Sequence, residues 1–211
     1  MAAKRYAHYW DKRVDIFGPE KAFEPITLKA ACVDDTAALE CGFINLTGTK
    51  DPKGRSIVYL DPSKQDKFKY TRESMCRALW YVLHTALATE IDTQKHGVVF
   101  VVFPHHAKMS QIDRGLMKLV TSSIKACLPI RLSAMHICHP PTFFAMVFPL
   151  MKLFMGERLR KRIQVHTGND EKVLNHIEKF GLTRDTLPTD LGGTVTLNPK
   201  EWVQTRLAAE T

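Results

Sequence analysis

Apolar positions along this chain recur at two periods, and the switches between them lay out the expected elements. Tyr6, Tyr9, Trp10, Val14 and Phe17 return at helical spacing, so residues 1–40 read as helical and amphipathic, with a break at Gly18-Pro19. Cys41–Leu46 fits a short strand, and Gly48-Thr-Lys-Asp-Pro-Lys-Gly-Arg55 is a loop of turn formers. Ile57-Val-Tyr-Leu60 is a second strand, stopped by Asp61-Pro62. Residues 71–90 make the clearest amphipathic helix: Thr71 is a plausible N-cap, and Met75, Leu79, Val82, Leu83, Ala86 and Leu87 mark one face. Val98–Phe103 is continuously apolar, as a strand buried on both faces must be. A helix follows from about Ser110 to Cys127, then a strand over Ile130–Ile137. Further on come a strand at Ile163–His166, a helix near Glu171–Phe180, a strand at Thr194–Leu197 and a closing helix from about Pro199. The order helix, buried strand, helix, strand predicts an α/β domain with a partly parallel sheet.

One segment departs from amphipathic order. Residues 142–155, TFFAMVFPLMKLFM, are apolar apart from Thr142 and Lys152, and Arg158, Arg160, Lys161 and Arg162 follow with only Glu157 opposing them. A helix apolar on every side must be buried or must cover something apolar. An ordinary core helix satisfies that requirement. Pro149, however, should kink the run or split it in two, and an apolar segment with adjoining cations suits a surface that meets anionic lipid.

Composition narrows the function classes. A length of 211 residues suits one domain, or one with a small added lobe, and the net charge of +8 favours a polyanionic partner, either nucleic acid or an acidic membrane. No aromatic–basic interleaving or reading helix supports nucleic acid. Five scattered cysteines without a CxxC pair suggest reduced thiols in a cytosolic protein, and neither a secretory signal nor a membrane-spanning run is expected. The Gly48–Ser56 loop fails as a phosphate-binding loop, because Arg55 stands where the catalytic lysine must be. His105, His106, His136, Cys138 and His139 could converge, yet they lack the paired spacing of a structural zinc site, so no metal or cofactor is expected. No nucleophile–base pair or carboxylate pair argues for catalysis.

From about Asp51 to Gly193 the chain resembles the CRAL-TRIO lipid-binding family. The landmarks are Asp51-Pro-Lys-Gly-Arg55 before a strand, the helix 71–90, His96-Gly-Val-Val-Phe-Val-Val102 and Leu128-Pro-Ile-Arg131 leading into the strand with His136-Ile137. Pro141 then opens the apolar helix, followed by Lys152-Leu-Phe154, the basic tract and Leu187-Pro…Leu191-Gly-Gly193. The match is densest against the family's tocopherol-transfer branch, over residues 77–168.

The resemblance implies a mixed, largely parallel sheet flooring a hydrophobic lipid pocket, flanked by helices and closed by a gate helix at 142–162. It divides the chain into a helical segment 1–48, a lipid-binding domain 49–198 and a C-terminal helix 199–211. Ligand-lining positions carried over from that branch fall on Trp80, Tyr81, His84, Val98, Val102, Leu128, Ile130, Leu132, Met135 and Phe144. Phosphoinositide-contacting positions fall on Arg131, Arg158 and Arg162, and a fourth is Ser133 here. The chain departs from the family at Phe103-Pro-His-His106, where Asp and Gly are usual, at His139, where Asn is common, and at Leu153 in place of the usual Pro. The expectation is a cytoplasmic, peripherally membrane-associated carrier or sensor of a hydrophobic lipid, with no enzymatic activity. The alternative is a protein-interaction module on the same scaffold with a degenerate pocket.

Overall fold

The continuous apolar run Val98–Val102 is the middle strand of a five-stranded sheet in the computed structural model, which describes residues 2–124 and 127–210. In chain order the elements are α1 (Ala2–Lys21), α2 (Thr36–Glu40), β1 (Ile44–Lys50), β2 (Ser56–Leu60), α3 (Arg72–Thr89), α4 (Ile91–His96) and β3 (Val98–Val102). They continue with α5 (Arg114–Ile124), β4 (Leu132–Cys138), α6 (Phe144–Phe154), α7 (Glu157–Arg160), β5 (Ile163–His166), α8 (Asp170–Glu178) and α9 (Pro199–Ala209). Strand order is β1-β2-β3-β4-β5; β1 runs antiparallel to β2 and every other pairing is parallel. Helices cover both faces, which is what lets every residue of β2 and β3 be buried.

Alternation along the strands divides the interior in two. Val58, Leu60, Val98, Phe100, Val102, Met135 and Ile137 face α1, α3 and α5, while Ile57, Tyr59, Val99, Val101 and Cys138 face Val173, Leu174 and Ile177 of α8. Register slips between β3 and β4: Val98 pairs with Leu132 but Val99 with Ala134, leaving Ser133 as an extra residue in a bulge. The slip changes parity, so Leu132 and Met135, three residues apart, face the same side. Gly97 sets the entry to β3, with φ +87° and a backbone so close to Arg131 that a Cβ would lie 2.0 Å from its carbonyl oxygen. The Val98 amide then donates to that oxygen at 2.9 Å.

Several expectations are corrected. Of the stretch read as helical, residues 2–40 are a helix that breaks at Gly18 (φ 78°), then turns, then the short α2. The first strand is Ile44–Lys50, displaced toward the loop from Cys41–Leu46. Thr194–Leu197 is not a strand: it makes a single bridge, Val195 to Pro188, because its amides are taken by Arg184 and Leu187 in the preceding turns. The helix placed at Ser110–Cys127 is a 3₁₀ turn at Met109–Gln111 followed by α5, and residues 125–126 of that reading lie outside the described residues. Helix α3, capped by Thr71 whose hydroxyl accepts from the Ser74 amide at 3.0 Å, is buried on nearly all sides rather than one, because α1 and α9 close over what would be its polar face.

The apolar segment is not split at Pro149, and the helical stretch ends only where the segment does. Helix α6 passes through that residue, which is exposed together with Ala145, whose carbonyl loses its helical partner. Water can satisfy that carbonyl, and the break falls instead at Gly156, whose extended backbone starts α7.

Candidate functional site

Between the sheet and α6 lies a cavity of about 910 Å³. Its floor is Leu60, Phe100, Val102, Met135 and Ile137; one wall is Leu116, Val120 and Ile124 of α5; its roof is Phe144, Val147 and Met151 of α6. The roof residues recur at three and four positions, so the segment that looked apolar all round presents one face to the cavity. Its opposite face carries Met146 and Leu153, 73% and 76% exposed. Lys152 lies flat over this helix, with Nζ 4.4 Å from the Phe148 ring centre.

Most of the charged lining groups lie at the two edges of the sheet, with Arg5 of α1 added to them. Parallel pairing puts the starts of β3, β4 and β5 at one edge of the sheet, and there Arg131, Arg158 and Arg162 border the cavity with Glu157. Arg162 donates to the Leu132 carbonyl and so spans the two strands that flank the roof segment, while Glu157 pairs with Lys161 at 2.8 Å. At the opposite edge, where β2, β3 and β4 end, Gln65, Lys108 and Asp113 complete the lining. Asp113 is fixed by the Arg72 guanidinium at 2.8 Å, which holds its carboxyl below the usual range.

The roof is hung between β4 and β5. Its first connection passes through His139, whose φ of 50° makes it the one described non-glycine residue in the left-handed region. Asn, common at this position in the resembling family, tolerates that region, as does His more than most residues. The His139 amide is held by the His166 carbonyl at 3.0 Å.

Of the lining positions expected from the resemblance, Val102, Ile130, Leu132, Met135 and Phe144 border the cavity, as do Arg131, Arg158 and Arg162. Trp80, Tyr81, His84, Val98 and Leu128 do not. Trp80 stacks on Tyr9 of α1 at 5.7 Å and donates to Ser123 Oγ at 3.1 Å. Tyr81 points to α9, meeting Trp202 edge-on at 5.8 Å and donating to Glu210. His84 lies 3.4 Å from the Tyr9 hydroxyl, and burial beside Arg13 pushes its pKa down to about 4. Val98 and Leu128 are packed in the core. The bulge residue Ser133 donates to the His96 carbonyl at 2.7 Å.

The histidines fall into two sets. His105 and His106, with ring centres 4.5 Å apart, gather with His139 around Phe103, and separately His136 pairs with His166 beside Phe180. Among the described residues no group of three His, Cys, Asp or Glu side chains is placed to hold a metal ion. Sequence reading missed the α5 wall and the α1 contribution of Arg5. The Leu116, Val120 and Ile124 stripe was visible as a helix face, but nothing in it distinguishes cavity from core.

Comparison with known proteins bears on this geometry. Residues 39–193 match the CRAL/TRIO domain family model. The α-tocopherol transfer protein-like protein of Homo sapiens is 28% identical over 187 residues, covering 87% of this chain and 52% of that protein. Clavesin-1 of Rattus norvegicus is 24% identical over 194 residues, 90% of this chain and 51% of its own. A Mus musculus tyrosine-protein phosphatase, non-receptor type 9, aligns with 76% of this chain but only 26% of its own length, at 27% identity. The chain thus spans about half the length of the first two relatives or less of the third. The crystal structure of Sfh5 superimposes with a TM-score of 0.60 at 18% identity, covering 94% of this chain and 73% of that one, and shares the fold.

Proposed function

The chain belongs to the CRAL/TRIO domain family, whose members bind or transfer hydrophobic lipids, and we propose that it holds one lipid in the cavity beneath α6 and docks on acidic membranes. The observation that carries this reading is the cavity itself: about 910 Å³, toward the upper part of the range for ligand pockets of about 300–1,000 Å³, with mostly apolar walls and Arg131, Arg158 and Arg162 gathered at one edge. Lipid chains lie along Val102, Ile130, Leu132, Met135 and Phe144, and a polar headgroup sits at the arginine edge. There Arg131, Arg158 and Arg162 offer charge-assisted donors to phosphate oxygens. No helix among the described residues is long and apolar enough to cross a membrane, so contact with the bilayer is through the surface of α6 and α7.

An interaction module with a collapsed pocket would have Phe144, Val147 and Met151 packed against the sheet, and the open space beneath them supports the lipid reading instead. The test is uptake of a fluorescent phospholipid from phosphoinositide-containing vesicles. Saturation near one lipid per chain, weakened by the pair Arg158→Glu and Arg162→Glu, is the expected result. Absence of uptake by the parent chain would overturn it.

A further inference from the structure

We propose that the turn Lys67-Phe68-Lys69 is a second membrane anchor, inserting Phe68 into an acidic bilayer at the end of the cavity remote from the arginine edge. The inference rests on the docking reading above and extends it to a surface that the family resemblance does not mark. Phe68 is fully exposed, at 101% of its reference area, so none of its ring is covered by this chain. Burying a ring of that size in an apolar phase is favourable, and what sets Phe68 apart from other exposed apolar residues is its flanking by lysines on a hydrogen-bonded turn.

The turn is rigid. Its backbone is set by Asp66, whose carboxylate accepts from the Phe68 amide at 3.0 Å, and by Tyr70, whose hydroxyl accepts from the Asp66 amide at 3.0 Å. Lys67 Nζ donates to the Ser110 carbonyl at 2.6 Å, tying the turn to the segment after β3. A side chain on such a turn is presented, not left over from a floppy loop.

Charge and position select the occupant. Exposed Lys64, Lys67 and Lys69 stand in this segment against the single carboxylate of Asp66, which lies 3.6 Å from Lys69 Nζ. Cations flanking an apolar side chain fit anionic headgroups above a hydrocarbon layer. The connections after β2, β3 and β4 all leave the same edge of the parallel strands, so this turn, half-exposed Met109 and the start of α6 share one end of the molecule. Pro62 and Gln65, just before the turn, border the cavity. This anchor and the arginines mark opposite edges of the sheet, and α6, with exposed Met146 and Leu153, runs from the one edge toward the other.

The test is sedimentation of the full chain with phosphatidylcholine vesicles containing phosphatidylserine, for the parent, Phe68→Ala, Phe68→Trp and the pair Arg158→Glu, Arg162→Glu. Because Phe68 contacts no core, Phe68→Ala should melt with the parent while binding vesicles about tenfold more weakly. Phe68→Trp should keep binding, with added emission that shifts to shorter wavelength on the vesicles and is quenched by chain-brominated lipid. Unchanged binding of Phe68→Ala, alongside weakened binding of the arginine pair, overturns the anchor and leaves the docking reading standing. Failure of the parent to bind overturns both. A dimer that Phe68→Ala dissociates, with vesicle binding unchanged, assigns the ring to a contact between copies and overturns the anchor as well.

Discussion

His136 and His166 face each other across β4 and β5, Nδ1 to Nε2 at 3.0 Å, with rings stacked 5.2 Å apart beneath Phe180. One ring N–H serves both facing nitrogens, so both rings cannot be protonated while that bond lasts, and burial, with Nδ1 of His166 left without a partner, disfavours charge on either ring. These are the two strands between which the cavity roof is inserted.

Acid should therefore loosen this edge of the sheet. Burial lowers the pKa of His136 to about 4, with further lowering from His166 and Arg55 against a raising influence of Asp51. Burial and His176 lower that of His166 to about 4 as well. Both lie below the unfolded value near 6.5, so the unfolded chain binds more protons in between. The stabilisation is complete above about pH 6.5 and is lost as pH falls toward 4, with a slope of up to about 1.4 kcal/mol per pH unit for each ring. Urea midpoints measured from pH 7.5 to 5 should fall in the parent and fall less steeply in the double variant His136→Phe, His166→Phe. Equal slopes would contradict the assignment. His84, also lowered to about 4, leaves a residual slope in both.

Filling the cavity should separate binding from folding. Met135 borders the space from its floor and Val120 from the α5 wall, so Met135→Trp or Val120→Trp places the indole where the proposed lipid lies. Lipid uptake should drop by at least about tenfold while the melting temperature stays within a few degrees, because the added volume enters a void and not a packed core. A large loss of stability with undiminished uptake would show that the space closes in solution.

Glu210 ties the two ends of the chain to α3. Its carboxylate accepts from the Leu28 amide at 2.6 Å and from the Tyr81 hydroxyl, both buried, and from partly buried Arg206 at 3.2 Å. Glu210→Ala strands a buried amide and a buried hydroxyl together, at a cost of about 2–4 kcal/mol in chemical denaturation. Glu210→Gln, which keeps an acceptor, should cost less. A neutral Glu210→Ala would remove this tie from the account.

The sheet was legible because its strands carry their own signal. Val98–Val102 is too apolar for a strand with a wet face, and its parallel neighbours follow from the helices between them. Thr194–Leu197 alternates polar and apolar as a half-buried strand would, but strand pairing is a tertiary event and the Thr194 and Val195 amides are bonded to Arg184 and Leu187. The cavity was less legible. On α3, hydropathy cannot tell Leu79, which borders the cavity, from Trp80 and Tyr81 beside it, because α1 and α9 bury the remaining faces just as thoroughly. Likewise 142–155 gave away its unusual apolarity, while which face meets the void and which meets solvent depends on where the sheet sits. Phe68 lies in no periodic run, so only its exposure in the fold marks it.

The most direct test of the central claim is native mass spectrometry of the freshly purified chain, followed by organic extraction of whatever it carries. The account predicts a mass above that of the polypeptide by about one lipid molecule, lost in Met135→Trp. A chain at its bare polypeptide mass, which also takes up no lipid when incubated with phosphoinositide-containing vesicles, would contradict it.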